Sequence, residues 1–527
     1  MLRFMIFWLL GSALAASSMD ENLQIQEECS FTRYPSLCLQ TLRGLRDDSV
    51  HIVSALVNKS ISETKLPVSF FTSLTSQLGI QEAQYTQSTT DYCENLMKMS
   101  LKLLDKSLLA LKQSPEKNKN DIQTWLSAAL TYQQACKDSV DSLGLPTGGL
   151  TSQISRKMDY LSELVSNPLA LVNRITGDHD NKLKKNSTRS RYLGEEIQDF
   201  PKWVSAKDRK LLQSSTIKAN AVVAKDGTGN YETVSEAIKA AGGGRFVIYV
   251  KAGVYKEKIR TNKDGITLIG EGKYSTIIVG DDSVGDGSSM PGSATFTITG
   301  DGFIARDIGF QNAAGPQGEQ ALALYIASDH SVLYRCSIAG YQDTLYALSQ
   351  RQFYRECDIY GTIDFIFGNA AAVFQNCYLV LRRPDHGSYN VILANGRSDP
   401  GQNTGFSVQN CRITASSDFS PVKHSYNSYL GRPWKQYSRS IIMESYIDDA
   451  ISWKGWIEWP GAGSYSKSLY FAEYSNTGPG AGTSKRPNWP GFHVIGAEEA
   501  VKFTVGKFIS GSSWLPSTGV TFISGLQ

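Results

Sequence analysis

Residues 334–377 read YRCSIAGYQDTLYALSQRQFYRECDIYGTIDFIFGNAAAVFQNC, and one element recurs: Tyr334-Arg335-Cys336, Tyr354-Arg355-Glu356-Cys357 and Phe374-Gln375-Asn376-Cys377. The three cysteines are 21 and then 20 residues apart. Related segments stand on either side, Phe310-Gln311-Asn312 and Val408-Gln409-Asn410-Cys411. A period of that size, built from short runs of Val, Ile, Phe and Tyr between glycines and asparagines, is the mark of a solenoid. The Leu-x-x-Leu-x-Leu signature of leucine-rich repeats is missing, so a parallel β-helix fits better.

The period has a chemical consequence. Residues one coil apart sit on adjacent strands, about 4.8 Å from each other. Asp343 and Asp364 are 21 apart, so the coil that stacks Cys336 near Cys357 also stacks these two carboxylates. Each lies in an otherwise uncharged motif, Gly340-Tyr341-Gln342-Asp343-Thr344-Leu345-Tyr346 and Gly361-Thr362-Ile363-Asp364-Phe365-Ile366-Phe367-Gly368-Asn369. Two like charges so close do not both ionise readily; one holds its proton, which separates an acid from a nucleophile or base. The plain alternative, that each Asp caps a turn, does not explain the coupled spacing, the neighbouring rings or the adjacent amide of Gln342. Trp434, Trp453, Trp456 and Trp459 add flat apolar faces of the kind that grip sugars, some of which will be core.

Paired carboxylates admit three readings: a glycosidase with acid and nucleophile or base, a carbohydrate esterase with one Asp attacking an acyl carbon, and a polysaccharide-binding solenoid that uses neither. A serine esterase has little support, since no Gly-x-Ser-x-Gly elbow occurs and none of the six histidines lies in the repeated motifs. No ligand set for a metal stands out, and no metal or cofactor is expected.

Outward from the repeat, composition divides the 527 residues in two. Only 8 of the 46 glycines precede residue 214. The early part reads helical: Leu101, Leu104, Leu108 and Leu111 form one stripe, and Ile122, Trp125, Leu126, Ala129 and Leu130 another. Further helical patterns near 49–64, 67–79 and 151–175 predict an antiparallel bundle. Lys plus Arg total 53 against 50 Asp plus Glu, a net charge of +3 that excludes a nucleic-acid wrapper. At the amino terminus, Arg3, the apolar run Phe4 to Leu10 and Ala13-Leu14-Ala15 read as a signal peptide over 1–15, too short to span a membrane. Eight cysteines fit an oxidising compartment. Cys29 and Cys38 close a small loop around Tyr34-Pro35, and Cys93 and Cys136 lie on separate helices that a bridge would tie. Each half holds four cysteines, which admit three pairings; the expected bridges are Cys29–Cys38, Cys93–Cys136, Cys336–Cys357 and Cys377–Cys411. Asn58 and Asn186 begin glycosylation sequons. A polar linker, 178–213, carries Arg209-Lys210-Leu211-Leu212, a candidate processing site.

The motifs taken together resemble a known family. Gly253-Val254-Tyr255-Lys256-Glu257, the two aspartate motifs, Leu430-Gly431-Arg432-Pro433-Trp434 and Gly478-Pro479-Gly480-Ala481-Gly482 stand in the order seen in plant pectin methylesterases, and the helical part, 24–177, resembles the plant invertase and pectin methylesterase inhibitor domain. The resemblance implies a four-helix bundle with a helical hairpin, followed over 214–527 by a right-handed parallel β-helix. It also implies the esterase chemistry. Asp364 would be the nucleophile on the C6 methyl ester of galacturonate, Asp343 the proton donor and later base, and Gln342 the stabiliser of the oxyanion. Gln320 would add a second polar contact, Arg432 would hold Asp364 ionised, and Trp434 would lie against the sugar, with Tyr346, Phe367 and Trp459 as further subsite candidates. A β-helical galacturonan glycosidase or lyase is the alternative. Implied partners are methyl-esterified pectin, the chain's own inhibitor-like region or separate inhibitor proteins, and a processing protease, in the extracellular cell wall and without nucleic acid or a membrane span. Departures from the pattern are Met290 where a substrate-contacting Thr is usual, Gly318-Glu319 where basic residues are common, and Tyr325 where Arg is usual.

Overall fold

A computed structural model describes residues 23–43, 49–65, 80–143, 150–175, 218–461 and 465–527. It divides into two units, Met1–Ser190 and Arg191–Gln527. The expected signal peptide, Asn186, Arg209 to Leu212 and the helix expected over 67–79 lie outside the described residues.

In the first unit, α1 (Pro35–Leu42) follows a helix over 23–30, and four long helices succeed it: α2 (Ser49–Thr64), α3 (Ile80–Gln113), α4 (Lys119–Asp141) and α5 (Leu150–Val172). Both leucine-rich stripes face inward: Leu104, Leu111, Ile122, Leu126, Ala129 and Leu130 are buried with Ile52, Leu56, Val165 and Leu169, while Leu101 and Leu108 are partly buried at the edge. Such apolar faces, not helix propensity, supply most of a bundle's stability. The disulfide Cys29–Cys38 closes the hairpin, and Cys93–Cys136 ties α3 to α4. Asn167, fully buried on α5, accepts from the Tyr34 amide and donates to the Tyr34 carbonyl, both at 3.2 Å, docking the hairpin. Asn58 is exposed on α2, as a glycan site requires.

In the second unit every paired strand is parallel, in sheets of eleven, eight and seven strands among the described residues. The chain visits them in turn: Ser331–Tyr334, Ser337–Ala339 and Leu345–Ser349 make one coil, and Arg351–Arg355, Asp358–Gly361 and Ile366–Gly368 the next. This is a parallel β-helix. Its interior is a stack of aliphatic and aromatic side chains in which Ile338, Ile359, Leu379 and Ile413 are all fully buried.

The recurring element quoted above is a corner. Between the eleven- and eight-stranded sheets one residue turns the chain, and Asp307, Arg335, Glu356, Asn376, Asn410, Glu444 and Ser475 hold it with φ from 49° to 57°. A left-handed L-residue costs about 1–2 kcal/mol, least for Asn and Asp. Ladder bonds from these corner amides to the next coil offset that cost, among them Arg335 to the Arg355 carbonyl at 2.9 Å and Asn410 to the Met443 carbonyl at 3.1 Å.

After every one of these corners but the last, the next residue is buried, giving the column Ile308, Cys336, Cys357, Cys377, Cys411 and Ser445. Here the expected bridges Cys336–Cys357 and Cys377–Cys411 are corrected: all four cysteines are buried free thiols. In-register parallel strands aim equivalent Cα–Cβ bonds the same way, whereas a disulfide needs the two Cβ atoms to converge to about 3.5–4.5 Å. Each thiol instead donates to the carbonyl two residues back, Cys336 to Tyr334 at 3.5 Å and Cys411 to Gln409 at 3.3 Å.

The helix Val234–Ala240 carries a capping box of Thr233 and Glu236. The Glu257 carboxylate also accepts from the amides of Val234 and Ser235 at 2.8 and 2.9 Å. That assigns Glu257 of the Gly253 to Glu257 motif to architecture.

Candidate active site

Asp343 and Asp364 occupy the turns between the eight- and seven-stranded sheets on successive coils. The register Leu345↔Ile366 places one above the other, as the 21-residue spacing predicts. Both sit at positive φ, 60° and 49°. The turns bond to each other: the Asp343 amide donates to the Ile363 carbonyl at 3.0 Å, and the Thr344 hydroxyl donates to the Tyr341 and Tyr360 carbonyls, each at 3.0 Å. Gly361 is required, since a Cβ there would fall 2.1 Å from the Phe365 Cβ. Strained backbone held from several sides is usual where function fixes a side chain.

The two carboxylates are 8% and 5% exposed, and one cation distinguishes them. Arg432 forks onto Asp364, with Nε at 2.9 Å from Oδ1 and Nη2 at 2.5 Å from Oδ2. It starts two coils away. Arg432 pairs in register with Ala394, which pairs with Phe367, so the small side chain of Ala394 leaves the guanidinium a path back to the aspartate. The Arg432 guanidinium also lies 4.2 Å from the Trp459 ring centroid, and its Nη1 donates to the Tyr389 hydroxyl at 2.8 Å.

Burial pushes the Asp343 carboxyl well above the usual range, and the neighbouring Asp364 charge adds to it. Burial raises Asp364 as well, but Arg432 opposes that rise directly through charge and hydrogen bonds. Both carboxyls are raised, Asp343 further, so Asp364 is the easier of the two to ionise. Burial alone would weaken the Arg432 cation, yet its carboxylate partner more than compensates.

Gln320 and Gln342 pair through their backbones on adjacent coils, Gln342 directly before Asp343, and both are half-buried. Three residues after each aspartate comes a ring of one continuous row: Tyr346 stacks on Phe367 at 4.3 Å with planes 4° apart, and Tyr325 lies 5.0 Å from Tyr346. Trp434, half-buried, meets Phe367 edge-on at 5.9 Å. The tryptophans divide. Trp456 is core, donating to Glu473 at 3.0 Å, Trp453 is 58% exposed, and Trp459 covers the arginine. Met290 precedes the short turn Pro291–Ser293 and is half-buried.

Sequence reasoning missed Arg382, Tyr389, Ala394 and Gly396. A Cβ at Gly396 would fall 2.7 Å from Trp434 Cε3, so that glycine makes room for the ring. The available signal was spacing: Cys377 to Cys411 is 34 residues where its neighbours are 20 and 21, so this coil carries extra chain.

Both parts of the chain are similar to known proteins. Residues 220–512 match the Pectinesterase family model, and residues 24–171 match that of the plant invertase/pectin methylesterase inhibitor. The chain is 51% identical over 525 residues to "Probable pectinesterase/pectinesterase inhibitor 54" of Arabidopsis thaliana, covering 95% of this chain and 94% of that one. It is 46% identical over 473 residues to "Pectinesterase 2" of Citrus sinensis, covering 86% and 88%. Among solved structures, pectin methylesterase from carrot matches at 51% identity and TM-score 0.58, over 60% of this chain and all of that one. The Aspergillus niger pectin methylesterase matches at 30% identity and TM-score 0.51, over 57% and 97%.

Proposed function

This chain belongs to the pectinesterase family, carboxylic ester hydrolases that demethylate pectin, and we propose that Asp364 and Asp343 divide the work of its reaction. The observation that carries the assignment is the Arg432 fork on one of two stacked, buried aspartates. Asp364, ionised, adds an oxygen to the methyl-ester carbonyl carbon. The charge that develops on the carbonyl oxygen meets the Gln342 amide. As the C–O bond to the methoxy group breaks, Asp343 gives its proton and methanol leaves. The acyl group now rests on Asp364 as an anhydride. Asp343, now a base, takes a proton from water, whose oxygen attacks the acyl carbon; the products are a galacturonate carboxyl group and free Asp364. Gln320 and Trp434 bind the sugar in this scheme, and the ring row of Tyr346 and Phe367 walls the subsite. The glycosidase or lyase alternative has no support from the relatives, which are pectinesterases.

The test is methanol release from methylated pectin, with reducing and unsaturated ends measured in parallel. Wild-type chain releases methanol without new ends, and Asp364→Ala lowers the rate by about a thousandfold or more. Full activity in that variant would sink the assignment.

We further infer export to the cell wall, supported by two disulfides and a wall-polymer substrate. Cleavage near Leu212 by a protease would release the β-helix, and the inhibitor-family domain would restrain the uncut chain; separate inhibitors of that family would bind the same enzyme.

A further inference from the structure

The extra chain in the long coil includes the segment 382–389, between the strands Tyr378–Leu381 and Asn390–Asn395. Its first residue grips the Asp343 turn: Arg382 donates to the Gly340 carbonyl at 3.0 Å and to the Tyr341 hydroxyl at 2.7 Å, with its guanidinium 3.8 Å from the centroid of the Tyr341 ring. Its middle reaches the segment that leads into Gln320, where Gln317 donates to Asp385 at 3.2 Å. Its last residue, Tyr389, accepts from Arg432 Nη1 at 2.8 Å. One short segment thus touches the three pieces of chain that supply Gln320, Gln342 with Asp343, and the partner of Asp364. Nothing in the core explains these contacts, since the segment is exposed or half-buried over most of its length.

We propose that residues 382–389 form a strap that positions the site, and that Tyr389 is a positioning residue which holds the Arg432 guanidinium square to Asp364. The inference rests on the methylesterase reading above. A guanidinium offers donors on three edges. With Nη1 tied to Tyr389 and the plane covered by Trp459, the remaining edge, Nε and Nη2, faces the carboxylate. Without the phenol oxygen the plane is free to turn, and the fork on Asp364 loosens. The charged and titratable groups facing Arg432 are Asp364, Asp343 and Tyr389, and those facing Asp364 are Arg432 and Asp343. Losing part of the arginine's hold lets Asp364 keep its proton to higher pH.

The experiment is the pH dependence of kcat and KM for methanol release by the full chain, comparing wild type with Tyr389→Phe and Arg382→Gln. For Tyr389→Phe the acid limb of kcat moves up by about half a pH unit, a fall of about threefold at a fixed acid pH, while KM and kcat at the pH optimum stay within about twofold. For Arg382→Gln, kcat falls at all pH values and the acid limb stays in place, because that residue holds the Asp343 turn and not the arginine. An unmoved acid limb in Tyr389→Phe overturns the proposal, as does an equal loss at every pH with raised KM. Should wild type itself release no methanol, the methylesterase reading fails instead, which separates the two.

Discussion

Asp343 and Asp364 share a residue type, equivalent turns on successive coils and nearly the same burial; Arg432 makes them different, and it acts through three hydrogen bonds to one of them. A consequence for stability follows from the direction of the Asp343 shift. Its folded-state pKa is raised, so the folded state binds that proton more tightly than the unfolded chain does. Stability from this group is intact below the unfolded carboxyl pKa and is lost as pH rises through the folded value. Asp343→Asn removes the ionisable group and with it the loss. We expect Asp343→Asn to melt on the order of 3 °C higher than wild type at pH 8 and at the same temperature near pH 3.5, while its methanol release collapses at both. An equal melting temperature at pH 8 would show that the buried pair imposes no cost.

Among elements, the corner and the cap are the most exposed to test. Glu257 satisfies two of the orphan amides at the start of Val234–Ala240 and accepts from the Ser235 hydroxyl at 2.5 Å. Glu257→Ala should cost about 1–2 kcal/mol in denaturant unfolding and leave methanol release per folded molecule unchanged; a specific loss of activity would reassign the motif to the site. The cysteine column makes a second prediction. Burial pushes the Cys336, Cys357 and Cys377 thiols up, away from the reactive thiolate. Without reductant, a thiol reagent should find no reactive group in the native chain and four after denaturation, the other four cysteines remaining in the bundle's two disulfides. Two or none after denaturation would restore one or both of the bridges expected from sequence.

For the whole molecule, the change from glycine-poor to glycine-rich sequence accompanies two units of different physics, divided between Ser190 and Arg191: a bundle that hides helix stripes and a solenoid that grows coil by coil around one continuous core. Joining an inhibitor-family domain to an esterase in one chain sets the inhibitor's local concentration high wherever the linker permits contact. Methanol release at equal molar concentration should therefore rise severalfold after cleavage near Leu212, and adding back the freed helical unit at dilute concentration should restrain it less than the uncut linkage does. Equal activity before and after cutting would remove the inhibitory role and leave folding or export as the domain's task.

The sequence by itself determined the two-unit plan, the parallel β-helix and the pairing of Asp343 with Asp364, because a solenoid's period converts directly into distance: residues one coil apart become neighbours whatever else the chain does. The bundle stripes were legible for the same kind of reason, as a local periodicity fixes a face. The cysteine column shows where period stops being sufficient. Spacing brought Cys336 to Cys357, but whether they bond depends on the direction of their Cβ vectors, which only the in-register sheet fixes. Likewise Trp459 reads as a sugar platform until the fold lays it on Arg432, and Tyr389 reads as nothing until a 34-residue coil folds its strap across the site. Those contacts join segments tens of residues apart through side-chain geometry, and no repeat in the sequence encodes them.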